Sequence, residues 1–439
     1  MKILICCFAL VFGACLATAE PASSAQSLTL AQAIDAVLAR YPSLDAAQAA
    51  VDAARGRSLQ SGAARLPQVS AGGAYTYMSF RPYVAFSLPS GTSVMYETIT
   101  NSYNVTLGVS QLLTDFGRTD ALVALARTGE ISARDALEQA RHQLGYQTIQ
   151  AFYSALLWRE SVAVADEEIR ALDEALRITE SKLASGKATR FDVLTTHVRL
   201  ANARNARADR VAALEKQEAL LRQLLGYAPD APVLLAGEFD SPAGLPDLSA
   251  TIAEGLQSRP EMKLARDAET EAGFKLDAAN RENRPVVAAQ AVAGVENGML
   301  PAMYDNKGYV SAGLSVSVPI FTGRRIAGER IIARGELRSA QGRAGELART
   351  ITADVEDALA DLKNAQAHLV SADTLVAQAQ EALSLAKLRY TNGVITNFEL
   401  LDAQSNARAA ELARLQSRYD CVLAHQAIAR AAGQQPVQR

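Results

Sequence analysis

The chain carries the same unit twice. In SKLASGKATRFDVLTTH (181–197), Leu183, Gly186, Thr189, Phe191, Asp192 and Leu194 fall in register with Tyr390, Gly393, Thr396, Phe398, Glu399 and Leu401 of LRYTNGVITNFELLDAQ (388–404), at an offset of 393 − 186 = 207 residues. A second pair of landmarks, RYPSLDAAQAA and SRPEMKLARDA, sets Pro42 against Pro260 and Pro67 against Pro285, an offset of 260 − 42 = 218 residues. Whatever supersecondary unit one copy forms, the other forms too, and both have similar faces to bury.

Each copy contains a long stretch without proline, between Pro89 and Pro229 and between Pro319 and Pro436. Proline breaks helix interiors, so these gaps are where long helices fit. Within them Val162, Ala165, Ile169, Leu172, Leu176, Thr179 and Leu183 follow a 3-4 spacing, and so do Leu369, Ala372, Val376, Ala379, Leu383, Ala386 and Tyr390. This is a coiled-coil seam in which large and small residues alternate. A helix from about Thr119 to Ala184 would be about 100 Å long. The turn after each seam reads Gly186…Thr189-Arg-Phe-Asp192 and Gly393…Thr396-Asn-Phe-Glu399: a left-handed glycine at the end of one helix, then a capping box at the start of the next.

Between the short helices opened by Pro42 and Pro260 and these long hairpins the period changes to two. Val310, Ala312, Leu314, Val316 and Val318 alternate with Ser311, Gly313, Ser315 and Ser317, and Tyr103, Val105, Leu107 and Val109 alternate with Asn104, Thr106, Gly108 and Ser110. With the strands expected before them, about 68–80 and 286–297, they make two hairpins, joined by the loops RPYVAFSLPSGTSVMYETIT and GMLPAMYDNKG. Such alternation fits lipid on one side and water on the other, and it fits equally the inner face of a soluble sandwich. If lipid is the answer, four strands cannot close a barrel, and several chains must share one.

The start of the chain, MKILICCFALVFGACLATAE, reads as a signal peptide ending at residue 19. Cys15 has Phe12 in place of the usual leucine three positions before it, which disfavours lipidation there. That leaves Cys421 without an internal disulfide partner. No later run of apolar residues is long enough for a transmembrane helix. A net charge of −3 argues against nucleic acid as a partner. SGKAT (185–189) fails as a phosphate loop, since Ser181 stands where the first glycine belongs and Ala188 where Ser or Thr belongs. His142, His197, His368 and His425 lack ligand spacing, Met299 and Met303 read as packing residues, and no nucleophile elbow occurs. Neither an enzyme, nor a metal site, nor a cofactor is expected.

With its leader, its tandem repeat, VSVPIFTGRR and the weaker copy VSQLLTDFGR at the strand-to-helix junctions, and the paired turns, the chain resembles the outer-membrane efflux protein family, of which TolC is the best-known member. The resemblance covers essentially all of the mature chain. It implies a mainly α fold with a membrane β-barrel part: a homotrimer sharing a 12-stranded barrel in outer-membrane lipid, continued by an α-helical periplasmic tunnel. The expected division is a signal peptide at 1–19, a first repeat at 20–226 (β-hairpin about 68–113, helical hairpin about 118–226) and a Pro-rich segment at 227–250. A second repeat at 251–433 (β-hairpin about 286–320, helical hairpin about 323–433) and a tail at 434–439 follow. The implied function is a passive exit duct of a tripartite efflux pump or type I secretion system, working with a periplasmic adaptor and an inner-membrane transporter. The resemblance carries acidic constriction residues onto Glu399 and Asp402, with Asp192 and Tyr390 in the network that holds the gate shut. Repulsion in such a ring would raise carboxylate pKa values. Ile395 stands where some family members have a latching arginine, and Arg190 is the available substitute. Gly186, Lys187, Thr189, Gly393, Val394 and Thr396 form the two exposed tip turns, where an adaptor is expected to dock. The competing reading is a soluble periplasmic coiled-coil adaptor or scaffold, which needs the heptads but not lipid-facing strands.

Overall fold

The structure, a computed structural model, describes residues 27–79, 83–87, 89–91, 93–97, 99–240, 244–298 and 304–436. The expected leader with Cys15, and Met299 and Met303, lie outside the described residues, as do residues 437–439 of the expected tail.

The repeat is visible element by element. Short helices α1 (Leu30–Arg40) and α2 (Pro42–Ala63) are matched by α5 (Leu248–Ser258) and α6 (Pro260–Arg281), at the offset of 218. Long helices α3 (Arg118–Ala184) and α4 (Arg190–Leu225) are matched by α7 (Arg325–Thr391) and α8 (Asn397–Ala431), at the offset of 207. Both α3 and α7 run for 67 residues, about 100 Å. Pro42 and Pro260 each take the first position of a helix, where the missing N–H costs nothing. The seam residues Ala165, Leu172, Thr179, Ala372, Val376 and Tyr390 are buried, as the 3-4 spacing predicts.

Each repeat has its own core. In the first, Val37 of α1, Phe152 of α3 and Leu221 of α4 pack together with Leu235 from the inter-repeat segment. That segment is tied down by a parallel bridge, in which Leu28 N donates to Leu234 O at 2.6 Å and Ala236 N to Leu28 O at 2.9 Å. In the second, Val355 and Leu362 of α7 pack on Cys421 and Ile428 of α8.

The strands are β1 (Gln68–Tyr77), β2 (Tyr83–Ser87), β3 (Ser93–Glu97), β4 (Asn101–Thr114), β5 (Val286–Glu296) and β6 (Lys307–Ser317). The β2–β3 ribbon is a correction: the sequence reads this segment as a long loop, with Pro82 before β2 and Pro89 between the two strands as loop signals. It accounts for the fall in offset from 218 to 207, since the first repeat carries 218 − 207 = 11 more residues between its main strands. The other four strands make one antiparallel sheet across both repeats, in the order β1-β4-β5-β6. Its register aligns the two patterns: Val69 opposes Val109, Leu107 opposes Ala293, Ala293 opposes Val310, and Ala289 opposes Leu314. Directly opposed residues share a face, so the apolar sets of all four strands merge into one surface and Ser, Thr, Gly, Asn and Gln dominate the other. No described element covers that apolar surface: Val310, Leu314 and Val316 are 81%, 72% and 65% exposed. Among the described residues the sheet therefore forms no sandwich core.

At the strand-to-helix junctions the backbone turns through left-handed conformations at Phe116 and Gly117, and at Gly323 and Arg324. Arg118 and Arg325, repeat counterparts at the first positions of α3 and α7, converge on Glu282, at 3.6 and 2.6 Å.

Candidate functional site

The two tip turns, residues 185–189 and 392–396, have the same build. Gly186 and Gly393 end the incoming helices at φ +69° and +70°. Lys187 N donates to Lys182 O at 2.7 Å and Val394 N to Arg389 O at 2.9 Å, the six-to-one bond of a Schellman motif. A Cβ at either glycine would meet nothing within 4 Å, so only the backbone conformation demands glycine here.

Both outgoing helices open with full capping boxes. Thr189 N and Oγ1 donate to Asp192 Oδ2 at 2.8 and 2.7 Å, and Asp192 N returns a bond to Thr189 Oγ1 at 3.2 Å. Thr396 N and Oγ1 donate to Glu399 Oε2 at 2.7 and 2.9 Å, and Glu399 N donates to Thr396 Oγ1 at 3.3 Å. These bonds, first the one from the Thr396 backbone, hold the Glu399 carboxyl below its ordinary value. Within the chain this is opposite in sign to the shift expected from a ring of carboxylates. Asp402 is exposed on the same helix and accepts from Asn406 Nδ2 at 3.1 Å. Lys187 and Val394 are both exposed at the tip, while Ile395 is half-buried.

Tyr390 and Asp192 are not joined directly. Tyr390 is buried against Lys182, whose ammonium lies 3.4 Å from the ring centroid and donates to Tyr390 O at 3.3 Å. The Asp192 carboxylate turns back onto its own Thr189. What joins the two hairpins is a set of residues that single-position reading passes over. Asn397, buried at the first position of α8, donates from Nδ2 to Thr196 Oγ1 at 3.0 Å and to Asp192 O at 3.4 Å, and accepts from Thr179 Oγ1 at 3.5 Å. Arg199 donates to Leu401 O at 3.3 Å and lies over the Phe398 ring. Beneath them Leu401 packs with Leu172, Ala175, Leu200 and Ala203. The signal for this set is asymmetry between the repeats, since Asn397 and Thr196 correspond to Arg190 and Ala403.

Among the described residues no group of three or more His, Cys, Asp or Glu is placed to hold a metal ion, and no helix is long and apolar enough to cross a membrane.

A family model described as outer membrane efflux protein matches residues 33–227 and again 251–434, one span in each repeat. Outer membrane efflux protein BepC of Brucella suis is 24% identical over 351 residues, covering 76% of each chain. Protein CyaE of Bordetella pertussis is 26% identical over 402 residues, 88% of this chain and 80% of its own. Among solved structures, the outer membrane protein VceC of Vibrio cholerae superposes with a TM-score of 0.78 at 20% identity, covering 93% of this chain and 97% of its own. The open-state MtrE outer membrane channel of Neisseria gonorrhoeae gives 0.76 at 21%, covering 92% and 89%. These two show that the helical hairpins and four-stranded sheet are a known fold.

Proposed function

The chain belongs to the outer membrane efflux protein family, and from that premise we propose that it is a trimeric outer-membrane channel, the passive exit duct of a tripartite efflux pump or type I secretion system. The observation that carries this reading is the four-stranded sheet with one uncovered apolar face and two free edges, β1 and β6. Open edges and bare apolar faces are costly in water, and open edges are not tolerated in lipid. Three copies joined edge to edge supply twelve strands, close the barrel and put the apolar face against lipid. A soluble adaptor or scaffold would have to cover that face by other means.

The long hairpins then form a periplasmic tunnel whose narrow end is the pair of tip turns. Six carboxylates, Glu399 and Asp402 from each of three chains, form an acidic constriction that favours cations. Asp192 and Tyr390 support it, Asp192 through its cap and backbone carbonyl, Tyr390 through Lys182. The adaptor engages the turns at Gly186, Lys187, Thr189, Gly393, Val394 and Thr396, and the inner-membrane transporter supplies the energy. On this reading the two repeats are 20–226 and 251–433, separated by 227–250.

Planar-bilayer recordings test the constriction. Multivalent cations added on the periplasmic side should block the wild-type channel, and the Glu399→Ala, Asp402→Ala double variant should lose that block. Equal block in both removes the acidic ring. Charge substitutions at Lys187 and Val394 should reduce crosslinking to the adaptor, and unchanged crosslinking and export would take the docking site away from the turns.

A further inference from the structure

All four long helices of the chain line one cavity of about 550 Å³ between the two hairpins, which begins at Leu401 and runs away from the tip to Arg210 and Leu412. A space of that size suits a small organic molecule better than a bare ion. Its lining carries four cations, Arg199 and Arg210 of α4, Lys387 of α7 and Arg408 of α8, against one carboxylate, Glu168 of α3. Leu172, Leu383 and Leu412 give it apolar walls.

Two of the cations are engaged within the chain: Arg199 donates to Leu401 O at 3.3 Å, and Arg408 to Glu411 Oε2 at 2.6 Å. The other two are not. Arg210 is half-buried, and its Nη1 is shut off from solvent without a hydrogen-bond partner. Lys387 is exposed and forms no ion pair among the described residues. Gln404 Oε1, on the same lining, is also buried without a partner, and a half-turn of that amide puts an N–H donor there instead. A guanidinium nitrogen removed from water with no acceptor is destabilising, and an anion beside it offsets the cost. Glu168 alone does not balance four cations.

Hairpin packing does not account for these charges, and the repeat supplies the control. The 207-residue correspondence takes Arg199, Arg210, Lys387 and Arg408 to Asn406, Ser417, Glu180 and Ala201. None of the four counterparts is positive, yet they belong to hairpins of the same build. We propose that the cavity binds an amphipathic organic anion, with its carboxylate or phosphate head on the unanswered Arg210 guanidinium and its apolar body against the leucines. A guanidinium fork matches such a head group, while Arg408 and Lys387 add attraction. The site lies inside one chain, so it stands or falls apart from the three-copy reading. An anion held there has α4 on one side and α7 and α8 on the other, and so braces the first repeat against the second.

Equilibrium dialysis of naphthoate against the full-length protein in lipid nanodiscs tests this. Saturation at one naphthoate per chain is expected, with naphthylmethanol, the uncharged counterpart, binding about tenfold more weakly. Acetate, the head group alone, should not compete at equal concentration. Arg210→Gln should weaken naphthoate binding about tenfold, the loss of a charge-assisted bond, and Lys387→Gln about threefold, the loss of a partly screened charge. Lys387 is exposed, so its variant reports on the site even where Arg210→Gln fails to fold. Arg334→Gln, an exposed change far along α7, should leave binding unchanged. Equal binding of naphthoate and naphthylmethanol, effective competition by acetate, or the same loss in Arg334→Gln would overturn the proposal. Undiminished naphthoate binding in the Arg210 and Lys387 variants, with weaker crosslinking to the adaptor, would give the cations to a protein partner and overturn it too.

Discussion

Glu399 closes the N-terminus of its own helix, and this fixes how the tip responds to acid. Its carboxyl titrates below the ordinary value of 4.5, so its contribution to stability is present above the unfolded pKa and is lost as pH falls through the lower, folded one. Thermal stability of the tip should therefore decline below about pH 4.5, and Glu399→Gln should flatten that decline, as pH-dependent melting or local hydrogen exchange would show. Thr396→Ala should cost about 1 kcal/mol, typical of a lost N-cap, and Thr189→Ala about the same, readable from denaturant midpoints. Equal loss at both turns would mark the boxes as structural parts shared by the repeats. These residues were legible in the sequence because a capping box is local, with Thr, Asp or Glu and the spacing all in one turn. Asn397 was not, since its partners Thr196 and Thr179 lie about two hundred residues away in the chain, and nothing local distinguishes a buried asparagine at a helix start from an exposed one.

At the scale of elements, the long helices were readable from proline gaps and the 3-4 seam, and their ends fall at the capped turns. The strands were readable from alternation, but not what covers them: a period of two reports that the faces differ, and only the pairing of β4 with β5 across the repeats shows both apolar sets on one open surface. The β2–β3 ribbon escaped because Pro82 and Pro89 are loop signals. Pro82 precedes β2 and Pro89 lies between β2 and β3, so neither falls within a strand, and the 11-residue change of offset was the available sign. Within the helical part, Leu401→Ala should destabilise the chain by about 2–5 kcal/mol, the usual cost of emptying a buried leucine site. Leu194→Ala, its exposed counterpart, should leave the chain's stability within about 0.5 kcal/mol, and denaturant midpoints of the two variants compare the effects.

For the whole molecule, the four-stranded sheet has an apolar face that no described element covers, with β1 and β6 at its edges, and the proposed trimer would close these into a shared barrel. If copies of this chain finish each other, the mass of detergent-extracted mature protein, measured by light scattering and corrected for detergent, is that of three chains per particle. A monomer that stays in solution without detergent would contradict it, because the apolar face of the sheet would then have to be covered by the chain itself.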